Sequence, residues 1–244
     1  MGGITVTTPL QSLDTHLKPT ILLTRPREDA EKLAATLTSY GLEASYVIAP
    51  VMEIVALDLE IEPTGYSGVV LTSRYAVPIA ARTFADMTAY CVGGATSTSA
   101  EAAGLKTVSA NGTADDLVAL LMRENISPLA HLHGTHTAGD VAARLTDAGL
   151  LTRSFAVYDQ KEVPWPRVTQ AQIDAALSLI VPVYSPRSAT LVGARLAKSA
   201  ANMTLVAISS AAAQAWGGPQ PTKTIIAERP DGDAMREAIA SQFT

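Results

Sequence analysis

The stretches VVLTSRYAV (Val69–Val77) and VPVYSPRSA (Val181–Ala189) repeat one statement 112 residues apart: a short apolar run stops at a serine, with an arginine close behind. Ser73 lies over Ser185. A wider copy flanks this one. LTRPREDAEKLAATLTSYGLEASYVIAPVMEIV (23–55) aligns without a gap on HLHGTHTAGDVAARLTDAGLLTRSFAVYDQKEV (131–163), at a constant offset of 108. Leu33 then falls over Val141, Leu37 over Leu145, Gly41 over Gly149 and Pro50 over Tyr158. A third pair, CVGGATSTSAEAAG over AISSAAAQAWGG, sets Val92 over Ile208 at an offset of 116. Such self-similarity marks a duplicated structural unit. The expectation is a pseudo-twofold protein of two similar domains with a ligand cleft between them.

Local patterning says what each unit is made of. TILLT (20–24) reads as a buried strand, followed by Ala30, Leu33, Ala34, Leu37 and Tyr40 at helical spacing and by Gly41 as a stop. An extended segment is expected over 44–55, then strands over 67–73 and 89–94, at KTVSA, and over 129–134. Helices are expected over 75–85, over 96–103 and behind an N-cap at Thr113. Val141, Ala142, Leu145 and Ala148 share a helix face that stops at Gly149, and 153–163 is extended. The last third predicts strands over 179–184, 204–209 and 223–227, with helices over 187–200, 210–216 and from 232. Strands alternating with helices of this length make parallel sheets with right-handed crossovers, so the class is α/β.

Composition narrows the function. The chain has 244 residues, 48% hydrophobic and 17% charged, which excludes a disordered protein. A net charge of −5 argues against a nucleic-acid backbone as partner but leaves room for an anionic small molecule met by local arginines. Cys91, the single cysteine, lies in the apolar run AYCVGG and reads as packing; with no internal disulfide open to it, a reducing cytoplasm is the expected compartment. No apolar run reaches the ~18 residues of a membrane span. Residues 1–18 lack the basic and apolar regions of a signal peptide and read as a flexible leader.

Chemistry in open α/β sheets sits where strands end and helices begin. The corners here are TRPR (24–27), TSRYA (72–76), VGGATS (92–97), HGTHT (133–137), YSPRS (184–188) and ISSAA (208–212). Helix N-termini there would present unpaired N–H groups and a partial positive charge to carboxylates. The candidate anion-binding residues are Thr24, Arg25, Pro26 and Arg27; Thr72, Ser73 and Arg74; Gly93, Gly94 and Thr96; His133 and Gly134; Ser185, Arg187 and Ser188; and Ser209 and Ser210. The plainer alternative is that the hydroxyls are helix caps and the arginines are solvated. No dinucleotide or P-loop glycine motif, nucleophile elbow or CxxC is present. His131, His133 and His136 lack metal-site spacing and read as polar corner residues, and Trp165 and Trp216 as packing.

The ordered set LLTRP, VVLTSRYAV, CVGGATSTSAEAAGL, HGTHTAGDVAARLTDAGLLTRSFAVYD and YSPRSA resembles the uroporphyrinogen-III synthase family over residues 20–244. That resemblance implies two flavodoxin-like domains: a discontinuous one from 19–46 and 166–244, and a central one from 55–154. Segments 47–54 and 155–165 would be the strands crossing between them. It implies closure of the linear tetrapyrrole hydroxymethylbilane to uroporphyrinogen III, with inversion of the last pyrrole ring and loss of water, and no metal or organic cofactor. Tyr158 takes the family's tyrosine position and with it the role of proton donor to the departing hydroxyl. The resemblance further implies a monomer, with a transient contact to the enzyme that supplies the bilane. Two corners depart from the family pattern: its Arg-Gly reads His133-Gly134, and its C-terminal glycine and threonine are replaced in ISSAA. They leave a non-catalytic binding or sensor module for an anionic tetrapyrrole-like ligand as the alternative.

Overall fold

The computed structural model describes residues 18–137 and 139–243, so the leader expected over 1–18 lies, Lys18 apart, outside them. In chain order the elements begin β1 (Thr20–Leu23), α1 (Arg27–Ser39), β2 (Ser45–Ile48), β3 (Met52–Ala56) and β4 (Gly68–Leu71). A 3-10 turn (Arg74–Ala76) leads into α2 (Val77–Thr83), followed by β5 (Thr88–Cys91), α3 (Gly94–Ala102), β6 (Lys106–Ser109) and α4 (Ala114–Glu124). Then come β7 (Leu129–Gly134), α5 (Val141–Asp147), β8 (Thr152–Glu162), α6 (Arg167–Asp174) and β9 (Ser178–Val183). The chain closes with α7 (Pro186–Arg195), β10 (Asn202–Ala207), α8 (Ser210–Gln214), β11 (Lys223–Ile226) and α9 (Gly232–Ala240).

These form two units. Among the described residues, one comprises those up to Thr24, Glu28–Ala49 and those from Trp165 onward; the other comprises Arg25–Arg27 and those of Pro50–Pro164. The first unit's sheet is fully parallel, in the order β11-β10-β9-β1-β2. Counted along the chain, that is the flavodoxin order 2-1-3-4-5. The second unit's sheet runs β3-β8-β7-β4-β5-β6, with β3 antiparallel at one edge. Its parallel strands read 3-2-1-4-5 along the chain, so the flavodoxin label describes the first unit and not the second. The spatial plan is nevertheless shared: β4, β5, β6, β7 and β8 stand to one another as β9, β10, β11, β1 and β2 do. The same plan is threaded in permuted order.

The repeat explains why the equivalent residues sit where they do. Leu33 and Leu37 of α1 and Val141 and Leu145 of α5 are all buried. Each fully buried leucine contributes about 1.5–3 kcal/mol. Gly41 and Gly149 follow these helices with φ of +74° and +89°, the left-handed stop that glycine takes without a Cβ penalty. In the second sheet Val69, Leu71, Ala89, Cys91, Ala130 and Leu132 line one core, and Val70, Tyr90 and Leu129 the other. Both faces are covered, which is why these strands read as unbroken apolar runs.

Several expectations need correcting. The extended segment over 44–55 is two strands in different sheets. Pro50, which has no N–H for a ladder, separates them, and pairing stops where the Ala49 N–H donates to Leu23 O at 2.9 Å. Helix α6 has no forerunner in the sequence pattern. Its buried side is Ile173 alone, while Val168 is 68% exposed, so no apolar period announces it. Helix α7 ends at Arg195 rather than near residue 200, and α5 has only seven residues. Strand β8 serves two neighbours, pairing parallel with β7 and antiparallel with β3. Its register against β7 slips: His133 faces Ala156 but Gly134 faces Tyr158, leaving Val157 as an extra residue.

Candidate functional site

In each sheet the chain order reverses at one place, between β1 and β9 in the first unit and between β4 and β7 in the second. Such switch points open a crevice beyond the strand C-termini where open α/β sheets take ligands. The corners named from sequence flank these points, and the structure shows what their side chains already do.

In the first unit Ser185 and Ser188 form a reciprocal capping box on α7: the Ser188 N–H donates to Ser185 Oγ at 3.1 Å, and the Ser185 N–H to Ser188 Oγ at 3.0 Å. Ser209 caps α8, accepting from the Ala212 N–H at 3.3 Å, and Ser210 opens that helix. Thr24 is 3% exposed at the end of β1; Arg25, Pro26 and Arg27 lead from it into α1. Arg187 occupies the first turn of α7. Most hydroxyls here are spent on the helices they start.

The second unit holds a denser constellation. Ser73 caps the 3-10 turn, accepting from the Tyr75 N–H at 3.3 Å, and Arg74 lays its guanidinium over the Tyr75 ring at 5.4 Å. Tyr75 in turn meets Tyr158 edge to face, with centroids 5.8 Å apart at 65°. Tyr158 is only 4% exposed. Its backbone carbonyl accepts from the Thr135 N–H at 3.0 Å, and the Thr135 hydroxyl donates to Asp159. Gly93 caps α3 with no side chain to offer, Gly94 begins that helix, and Thr96 is turned inward at 6% exposure. The HGTHT corner does not run straight into a helix: α5 starts only at Val141, behind a residue, Asp140, whose side chain makes no cap.

Charges follow from these neighbours. Burial lifts the Tyr158 phenol above its ordinary value, while hydrogen bonding from Ser73, the Gly134 backbone and the Gln160 side chain works to lower it. The phenol is therefore protonated at neutral pH, with donors in place around its oxygen. His131 is buried beside Thr72, its Nε2 3.3 Å from Thr72 Oγ1; burial first, and then His133, push its pKa down to about 4, so its ring is neutral. His133 has both nitrogens engaged: Nδ1 donates to Gly134 O at 2.7 Å, since a carbonyl can only accept, and Nε2 lies 2.7 Å from Ser154 Oγ. Gln160 is the participant that sequence reading missed. It stands two residues from Tyr158 on the same strand and so on the same face.

The family model described as uroporphyrinogen-III synthase HemD matches residues 31–237. The chain belongs to the uroporphyrinogen-III synthase family. The crystal structure of uroporphyrinogen-III synthetase from Helicobacter pylori matches with a TM-score of 0.66 at 16% identity, over 93% of this chain and 100% of that one. A mutant uroporphyrinogen III synthase from the extremely thermophilic bacterium Thermus thermophilus matches with a TM-score of 0.53 at 13% identity, over 92% of this chain and 97% of that one. At these identities the likeness is one of fold. No curated protein sequence matches the chain.

An open depression of about 610 Å³, lined by Tyr40, Gly41, Leu42, Glu43, Ala240, Ser241 and Phe243, lies by the C-terminal ends of α1 and α9, at the opposite end of the strands from the corners. Its one charged side chain, Glu43, has the wrong sign for a polycarboxylate. Among the described residues no helix is long and apolar enough to cross a membrane, and no three His, Cys, Asp or Glu side chains gather as a metal site.

Proposed function

We propose that the chain closes hydroxymethylbilane to uroporphyrinogen III, inverting the terminal pyrrole and releasing water, with Tyr158 as proton donor. The observation that carries this reading is the setting of the Tyr158 phenol, which is buried and protonated, at the switch-point end of the second sheet, with donors around its oxygen. In the reaction the Tyr158 proton goes to the departing hydroxyl as its C–O bond breaks, and the electron-rich pyrrole spreads the cation left behind. Ser73, the Gly134 N–H and Gln160 then stabilise the phenolate. Inversion needs two bonds to form and one to break. The cationic methylene bonds the substituted α-carbon of the terminal pyrrole, and the older bond from that carbon to its bridging methylene breaks. The released methylene then bonds the ring's free α-carbon, whose proton returns to the phenolate. Water is the net loss.

The substrate's eight carboxylates suit helix N-termini and arginines. Arg25, Arg27, Arg74 and Arg187 are assigned to them, with the backbone N–H groups at Gly93–Gly94, Arg187 and Ser209–Ser210. Orienting the terminal ring against spontaneous closure is a matter of confinement. The same reading has segments 47–54 and 155–165 connect the units, and the chain work as a cytoplasmic monomer beside the enzyme that makes the bilane.

A coupled assay that separates the type III from the type I isomer tests this. Wild-type protein should give type III. Product of type I alone, at the spontaneous rate, would leave a binding module, the reading favoured by His133 having both nitrogens engaged where the family pattern has an arginine.

A further inference from the structure

We propose that Gly134 is a positioning residue for Tyr158, a glycine because the phenol ring occupies the space its side chain would need. The inference rests on Tyr158 being the proton donor. A Cβ added at Gly134 would stand 2.5 Å from Tyr158 Cε2, 2.7 Å from Cζ and 3.0 Å from the hydroxyl oxygen. Carbon atoms in contact settle at about 3.5–4.0 Å, so the ring and a side chain at 134 exclude each other. Backbone conformation does not ask for glycine here: the glycines with positive φ are Gly41, Gly65, Gly104, Gly139 and Gly149, and Gly134 is not among them.

The rest of the corner presses Tyr158 onto that glycine. Continued regularly from His133 opposite Ala156, the ladder would set Val157 across from Gly134; the slip skips Val157 and brings Tyr158 there instead. Bulges of this kind re-aim side chains beside active sites. The Thr135 N–H holds the Tyr158 carbonyl at 3.0 Å, the Thr135 hydroxyl holds Asp159, and Tyr75 closes on the ring at 5.8 Å. What must yield to a Cβ at 134 is the far end of the phenol, which carries the proton. A reacting group misplaced by about 1 Å can lose on the order of 100-fold in rate.

The test is Gly134→Ala, which keeps the backbone N–H, assayed with hydroxymethylbilane for kcat, KM and isomer ratio. The expected result is a kcat lower by roughly 10- to 1,000-fold with KM changed by less than about threefold, and type I product accumulating. Added to Tyr158→Phe, the substitution should cost no further turnover, because the proton it misplaces is already gone. Full kcat in Gly134→Ala while Tyr158→Phe is slow would overturn this inference alone; a fully active Tyr158→Phe would overturn the donor assignment and this inference with it. Should Gly134→Ala fail to fold, Gly134→Ala combined with Tyr158→Ala decides. Without the ring it should melt within about 3 °C of Tyr158→Ala, and a markedly lower melting temperature would show that the glycine serves the backbone instead.

Discussion

Tyr90 and Tyr158 belong to opposite cores of the second unit's sheet, and each lays its ring on a glycine of a neighbouring strand, Gly68 for the first and Gly134 for the second. Both are nearly buried, at 6% and 4% exposure, and burial lifts the pKa of both. They differ in position and company. Gly68 begins β4, so the Tyr90 ring lies at the N-terminal edge of the sheet; its neighbouring charge is Glu124, which opposes ionisation further. Gly134 ends β7, so the Tyr158 ring lies at the C-terminal edge, among donors that favour the ionised oxygen. Burial on a glycine makes a tyrosine a wedge. Donors around the oxygen make it able to part with a proton and take it back.

The sharpest way to break this contrast is to remove each hydroxyl. Tyr158→Phe should keep fold and affinity yet slow turnover by roughly 10- to 10,000-fold, with spontaneous type I product accumulating, while its melting temperature hardly moves. Tyr90→Phe should leave turnover within about twofold of wild type, because no reacting group depends on it. Equal losses in the two variants would dissolve the distinction.

Acid should weaken the Tyr158 end through His131. Its folded pKa of about 4 lies below the ordinary 6.5, so the unfolded chain takes up the proton first as pH falls. Stability is then full above about pH 6.5 and declines by about 3 kcal/mol between there and about pH 4. Urea unfolding across that range measures the slope, and His131→Asn should flatten it.

Gly68→Ala sharpens the comparison from the packing side. A Cβ there would meet the Tyr90 ring at 2.8 Å, an overpacking that costs about 1–3 kcal/mol of stability. Urea unfolding should show the loss, while kcat per folded molecule stays at the wild-type value. The smallest effects belong to the outer corners. Arg25→Ala and Arg74→Ala should each raise KM by roughly 5- to 30-fold, equivalent to ~1–2 kcal/mol, with less change in kcat. Wild-type affinity for the bilane in both would remove the arginines from the anion site.

The repeat carried most of the fold because its signals are local: Leu33 and Leu37 recur as Val141 and Leu145, and a left-handed glycine follows each helix. The capping serines were legible for the same reason, since Ser73 and Ser185 each end a strand and start a helical turn. What stayed hidden depended on distant partners. The run VIAPVMEIV carries no mark but Pro50 to say that its halves join different sheets. The permuted threading of the second sheet is a property of pairing, which no single stretch records. At the site, family resemblance points to Tyr158, and the sequence offers Gly134 only as an anion contact. The slip that sets one on the other exists only once β7 and β8 are paired.

Permuted threading also decides what the growing chain can do on the ribosome. Every strand of the second sheet lies within one continuous stretch, Pro50–Pro164, so that unit can close as soon as β8 emerges. The first unit cannot. β1 and β2 are made early, but the strand beside β1, β9, ends at Val183, some ~10–30 s later at ordinary elongation rates. Through that interval β1 has an open edge, the kind that invites a stray strand from another chain. Its apolar run is only Ile21, Leu22 and Leu23, with Lys18 just before and Arg25 and Arg27 just after. Short strands flanked by positive charge are poor templates for intermolecular pairing, which limits what that open edge can recruit.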